Sequence, residues 1–325
     1  MKAAIGIDIG GTNVRVGLVL ELGEVIHQSR IEVATHTEGE LFLNQLIRTV
    51  HEFLAFSEDL KILGIGIGSP GANIEEGIIE RASNLPWKRL PIVERLSSHF
   101  DLPVFLTNDA NLFAIAEKGY GHASQMTDFL AVTLGTGVGG GVYASDQLVT
   151  GANGLAGEVG HVIYERNGRS CKCGRQGCLE RYVSASGVVE TAKEYILAKE
   201  YPSELYGVPE HLISAQLVAD SAKDGDVLAM KVFQETGKIL GEALADFVAV
   251  LNPEAIFLSG GLSNSGDLLL KPTRASFSKS LLSIYPNQPA IRTSAIPDND
   301  AGVLGASALV WEYSKKLNES SLTEI

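Results

Sequence analysis

Two stretches of this 325-residue chain share one plan, an apolar strand running into a Gly-rich hairpin with a hydroxyl at its tip. Ala3–Asp8 is apolar with β-branched Ile, Gly10-Gly11-Thr12 makes the turn, and Val14–Leu20 alternates; Gly23 then turns into a third run ending near Val33. Further on, Phe129–Leu134 leads into Gly135-Thr136-Gly137, and Gly139–Ala144 pairs back. The pattern predicts two halves of related topology, each opening with a hairpin whose tip presents backbone N–H groups. Between the hairpins, Leu41, Leu46, Ile47, Val50 and Leu54 share one face of a helix expected over Glu38–Phe56. Ile62–Ile67 and Val104–Thr107 are apolar runs of strand length, the second followed by the cap Asn108-Asp109 and a helix over Ala110–Glu117. The second half reads as helical apart from one late buried strand, Ala255–Leu258, which ends in Ser259-Gly260-Gly261. A last helix is expected over Ala301–Lys316, carrying Val303, Leu304, Ala308 and Trp311 and ending in a polar tail.

The hairpins are not P-loops, because neither contains Gly-x-x-x-x-Gly-Lys-Ser/Thr. A dinucleotide fold is disfavoured as well, since no Gly-x-Gly-x-x-Gly opens a helix in a βαβ unit. Glycines at a hairpin tip let a phosphate approach the backbone, and inward-facing amides make an anion-binding hollow. One such turn is more often just a turn. Two of them, with a third pair at Gly260-Gly261, point to a nucleotide. Asp8, ending the first strand, would repel a bare phosphate but favour hydrated Mg2+ bridging phosphates. Asn108-Asp109 reads first as an N-cap; the Asp109 carboxylate is also placed to take a proton from an attacking hydroxyl.

All three cysteines lie in Cys171-Lys-Cys173-Gly-Arg-Gln-Gly-Cys178, with His161 upstream, and together they form a complete tetrahedral set for structural zinc. Gly174 and Gly177 supply the turns that converging ligands need, which weakens the alternative of three inert thiols; an odd count argues against disulfides. Glu158 and Glu180 flank the cluster, and restrained carboxylates of this kind suit sugar hydroxyls. His161 can bind metal through one nitrogen and offer the other to a ligand. With 26 basic and 39 acidic residues the formal charge is −13, which argues against nucleic acid or an anionic membrane as the main partner. Short, interrupted apolar runs do not suit a bilayer span, the first strand begins too early to leave room for a signal peptide, and reduced thiols fit the cytoplasm.

In order along the chain, Asp8-Ile-Gly-Gly-Thr12, Leu106-Thr-Asn-Asp-Ala-Asn111, Leu134-Gly-Thr-Gly-Val-Gly-Gly-Gly141, Gly157-Glu-Val-Gly-His161, Cys171-x-Cys-Gly-x-x-Gly-Cys-Leu-Glu180 and Leu258-Ser-Gly-Gly261 resemble the ROK family (repressor, open reading frame, kinase), most of all its glucokinase branch. The resemblance implies an α/β, actin-like fold, a duplicated ribonuclease-H-like unit with a cleft between two lobes. Residues 1–120 would form the small lobe, completed by helix 301–316, and 121–300 the large lobe with the zinc site. It implies Asp109 as general base, with Asn108, Glu158, His161, Glu180 and Asn84 (in Ser83-Asn-Leu-Pro-Trp87) on the sugar and Gly68 on a loop lining the pocket. It also implies zinc on His161, Cys171, Cys173 and Cys178. Gly10, Gly11, Thr12, Thr136 and Gly137 would face the ATP phosphates, and Gly260 and Gly261 the adenosine. The expected reaction is Mg2+-dependent phosphorylation of glucose at its 6-hydroxyl. The alternatives are a kinase for N-acetylmannosamine, N-acetylglucosamine or fructose, and a non-catalytic sugar sensor. Repressor members carry an N-terminal helix-turn-helix, for which a strand beginning at Ala3 leaves no room. Family members are often dimers or tetramers.

Overall fold

In the computed structural model, residues 1–35, 38–80, 82 and 84–322 are described, so Ser83 and the end of the polar tail lie outside the described residues. The chain divides into two units: Met1–Met126 with Leu148–Ala156 and Ala295–Ile325, and Thr127–Gln147 with Gly157–Ser294.

The first unit is built on β1 (Lys2–Ile9), β2 (Asn13–Leu20), β3 (Val25–Glu32), α1 (Gly39–Phe56) and β4 (Lys61–Gly68). Three short strands follow, β5 (Ala72–Asn73), β6 (Ile78–Glu80) and β7 (Arg89–Leu90), and then α2 (Ile92–Ser97), β8 (Val104–Thr107) and α3 (Asp109–Tyr120). The main sheet runs β3-β2-β1-β4-β8: antiparallel through the hairpins, parallel from β1 to β4 and β8. Val33 opens a short 3₁₀ turn after the third strand. On α1, Leu46, Ile47 and Val50 are buried as their spacing requires, with Phe42, Leu43 and Phe53 beside them; Leu41 faces solvent and Leu54 is half-buried.

The second unit repeats the plan with β9 (Phe129–Leu134), β10 (Val138–Ala144) and β11 (Gln147–Leu148), then β12 (Ala255–Ser259) and β13 (Ala290–Thr293), in the order β11-β10-β9-β12-β13. Again β9 and β10 are antiparallel, while β12 and β13 are parallel to β9. Two sheets of one order, each a meander followed by two parallel strands, make this the duplicated ribonuclease-H-like arrangement of actin-like proteins. The helices of this unit are α4 (Glu180–Val183), α5 (Ala185–Ala198), α6 (Ala215–Lys223), α7 (Val227–Leu251) and α8 (Asp267–Ser280). Sequence reasoning expected one late strand here; β13 is a second, an edge strand with only Ile291 buried, so it lacks an apolar run.

The C-terminal helix, Asp298–Leu322, starts three residues before its expected first residue. It lies directly on the first sheet because Gly6, Gly17 and Gly66 are register neighbours on β1, β2 and β4. A methyl on Gly6 or Gly66 would run into the carbonyls of Val303 or Ala306, and one on Gly17 into the Val303 side chain. Val303, Leu304 and Ala308 are buried there, and Trp311 Nε1 donates to Tyr120 Oη at 2.8 Å.

Candidate active site

In the first unit the parallel strands end level with one another: Asp8 is opposite Gly68, and Gly68 is opposite Thr107. Gly68 is therefore the last residue of β4 rather than a loop residue. It is buried, and the side chain of Leu112 on α3 fills the space a Cβ would need. The chain leaves β8 and turns at Asn108, whose Oδ1 accepts the N–H of Asn111 at 2.7 Å, so that Asn108 is the true cap and Asp109 the first residue of α3. Asn111 is fully buried and donates from Nδ2 to Thr107 Oγ1 at 3.2 Å, tying the first helical turn to the strand end.

Asp109 and Asp8 sit close enough for their charges to interact. Burial raises the pKa of Asp109, and the N–H of Ala110, donating to its Oδ1 at 3.1 Å, opposes the shift. Its side chain is solvent-accessible, yet the surrounding protein still disfavours charge, so desolvation outweighs the helix terminus. Asp8 is pushed up to about 6 by burial, against the pull of Arg15 and with a smaller push from Asp109. Sequence reasoning did not single out Arg15, though hairpin register places it opposite Asp8. Its guanidinium is held by Asn299, donating to the carbonyl at 2.6 Å and to Oδ1 at 3.2 Å. Gly302 of the C-terminal helix was also missed; any side chain there would strike the Asp8 carboxyl.

At the first hairpin tip the N–H of Gly10 donates to Asn13 O at 2.9 Å, and among the described residues the amides of Gly11 and Thr12 have no backbone acceptor. Asn84 lies against this turn: a Cβ on Gly11 would come within 3.2 Å of its side chain. In the second unit the N–H of Gly135 donates to Gly137 O at 3.0 Å, which leaves the amides of Thr136 and Gly137 at the tip without a backbone acceptor among the described residues. Gly260, with φ +89°, packs on the backbone of Leu134 at the end of β9, and Gly261 opens onto free space. The two glycine motifs are thus neighbours within their unit.

The cluster of His161, Cys171, Cys173 and Cys178 is assembled, its ligand atoms all within 4.8 Å of one another. Cys173 and Cys178 sulfurs are 3.5 Å apart, and His161 Nδ1 is 3.8 Å from Cys171 Sγ. A tetrahedron with zinc–sulfur bonds of about 2.3 Å has edges of about 3.8 Å, so the donor set fits zinc in number, chemistry and spacing. Gly174 and Gly177, at φ +89° and +76°, make the turns that return the chain to the cluster. His161 is linked to Glu158 through its N–H and the Glu158 carbonyl at 3.0 Å; the Glu158 side chain is exposed. Glu180 opens α4 two residues after Cys178, and its Oε2 accepts the N–H of Val138 at 3.1 Å.

The model of the ROK family matches residues 4–313. A glucokinase from Halalkalibacterium halodurans is 32% identical over 98% of both chains. One from Thermotoga maritima is 34% identical over 95% of this chain and 97% of its own. A ROK family glucokinase from Streptomyces griseus, solved in complex with glucose and AMPPNP, is 30% identical and superposes with a TM-score of 0.76 over 94% of this chain and 98% of that one. With a match that runs almost end to end, the chain belongs to the ROK family.

Proposed function

We propose that this chain is an ATP-dependent hexose kinase that phosphorylates glucose at its 6-hydroxyl. The observation that carries the reading is Asp109: a carboxylate fixed at a strand–helix junction, with its pKa raised, beside a second carboxylate and in the same unit as a tip whose Gly11 and Thr12 amides have no backbone acceptor among the described residues. Relatives named glucokinase support the substrate, and one of them was solved with glucose and an ATP analogue.

Asp109 takes the proton of the sugar hydroxyl as its oxygen bonds the γ-phosphorus and the bond from that phosphorus to the bridging oxygen breaks, releasing ADP. A raised pKa suits this role, because a carboxylate that burial makes more basic accepts a proton more readily. Amides of Gly11, Thr12, Thr136 and Gly137 receive phosphate oxygens, and Gly260-Gly261 leave room for the adenosine. Asp8 would hold hydrated Mg2+, which neutralises charge on the phosphates. Asn84, Asn108, Glu158, His161 and Glu180 would hold sugar hydroxyls, with His161 using the nitrogen that zinc leaves free. His161, Cys171, Cys173 and Cys178 would hold a structural zinc ion, which would restrain the backbone from which Glu158 and Glu180 project. We expect a cytoplasmic enzyme, because an odd set of three cysteines suits zinc better than disulfides, and a homo-oligomer, a dimer or tetramer. Among the described residues no helix is long and apolar enough to cross a membrane.

An ADP-release assay over glucose, fructose, N-acetylglucosamine and N-acetylmannosamine tests the reading. Glucose is expected to give the highest kcat/KM. An N-acetylated sugar far ahead of glucose would overturn the substrate, and glucose binding without turnover under saturating MgATP would overturn the enzyme in favour of a sensor.

A further inference from the structure

Glu180 is a sugar ligand in the reading above, on which this inference rests, yet among the described residues its one hydrogen bond goes to the nucleotide hairpin. Its Oε2 accepts the N–H of Val138, the first residue after the Thr136-Gly137 tip, and lies where a Cβ on Gly137 would be. Oε1 has no partner among the described residues. The next few residues hold the same tip: the N–H of Ala185 donates to Gly135 O at 2.9 Å, and Ser186 Oγ donates to Thr136 O at 3.0 Å. Ser184, just before them, steadies this grip, since its Oγ is 2.8 Å from Ser186 Oγ and accepts the N–H of Gly187 at 3.0 Å. Residues 180–186 therefore clasp the tip at its base, its middle and its far side, and the clasp starts at the carboxylate assigned above to the sugar.

We infer that Glu180 is a positioning residue that couples the two substrates, transmitting sugar occupancy to the nucleotide-binding hairpin through the Val138 N–H. A hydroxyl donating to Oε1 restrains the carboxylate plane. Oε2 is then fixed, and with it the backbone that aims the Thr136 and Gly137 amides. Nucleotide then binds a tip already ordered, and the cost of ordering it is shared between the two ligands. By linkage the effect is reciprocal: nucleotide tightens glucose by the factor by which glucose tightens nucleotide. The other unit has a similar neighbourhood, with Asn84 against the Gly11 turn.

The test measures the glucose Kd with and without saturating Mg2+·AMPPNP, and the AMPPNP Kd with and without glucose, by calorimetry on the full-length, zinc-replete protein. The unmodified protein is expected to show a coupling factor of about tenfold in both orders. Val138→Pro deletes the donor, and Gly137→Ala pushes the carboxylate off the tip; the second serves if the first fails to fold. Val138→Pro is expected to keep the nucleotide-free glucose Kd within about twofold, Gly137→Ala, which displaces the Glu180 carboxylate, is read from its coupling factor alone, and in both that factor falls to near one. A variant that binds both ligands with the coupling intact overturns the inference, as does an unmodified protein that binds glucose and AMPPNP independently. An unmodified protein that binds no glucose at all instead overturns the proposed function.

Discussion

Replacing Asp8 by Asn should make this protein more stable while disabling it. Folding raises the Asp8 pKa from 3.8 to about 6, chiefly by burial. The native state thus holds the proton more tightly than the unfolded chain, so stability falls as pH rises through the interval between those two values and stays low above it. At about 1.36 kcal/mol per pK unit the full shift amounts to roughly 3 kcal/mol. Asp8 is only half-buried, so solvent screening brings the figure to about 1–2 kcal/mol at pH 7.5. Asn keeps the shape and removes the desolvated charge. Melting temperature at pH 7.5 should rise by about 2–6 °C. At pH 4.5 the unfolded carboxylate is still mostly ionised and the native one protonated, so the gain should shrink to about a third. Differential scanning calorimetry at matched ionic strength from pH 4.5 to 8 reads this directly, beside MgATP turnover, which should collapse. A gain independent of pH, or a loss of stability at pH 7.5, would refute the desolvation account.

Asp109→Asn should leave glucose affinity nearly unchanged in calorimetry and cut kcat by about 10²–10⁴-fold, the usual contribution of a general base; little change in kcat would remove Asp109 from that role. Cys173→Ser should lower zinc content by metal analysis, melting temperature and glucose affinity together, and a zinc-free variant with unchanged glucose affinity would break the link from metal to sugar.

Both hairpins, the strands that follow them and the cap at Asn108 were legible because each is a local pattern: alternation, a Gly-rich turn, an Asx before a helix. The short strands β5, β6, β7 and β11 were not, since two or three residues carry no periodicity. The resemblance put Gly68 on a loop; its place in β4 is set by pairing with Asp8 and Thr107, both distant in sequence. The clustering of His161, Cys171, Cys173 and Cys178 was readable from spacing, because cysteine and histidine have few reasons to gather. The Glu180–Val138 bond was hidden, as it joins residues 42 positions apart through a backbone N–H that every residue type possesses. The rise in the Asp109 pKa was equally invisible: the helix terminus that favours its charge is local, whereas the burial that opposes it is tertiary.

The glycine trench on the first sheet bears on how the molecule is made. Its occupant follows the entire second unit in sequence, so the first sheet must wait with one face bare while that unit emerges from the ribosome. Only when Val303 and Ala306 reach Gly6, Gly17 and Gly66 is that face sealed. A chain stalled or cut before this point would present an uncovered β surface, so the loss would fall on the first unit before the second.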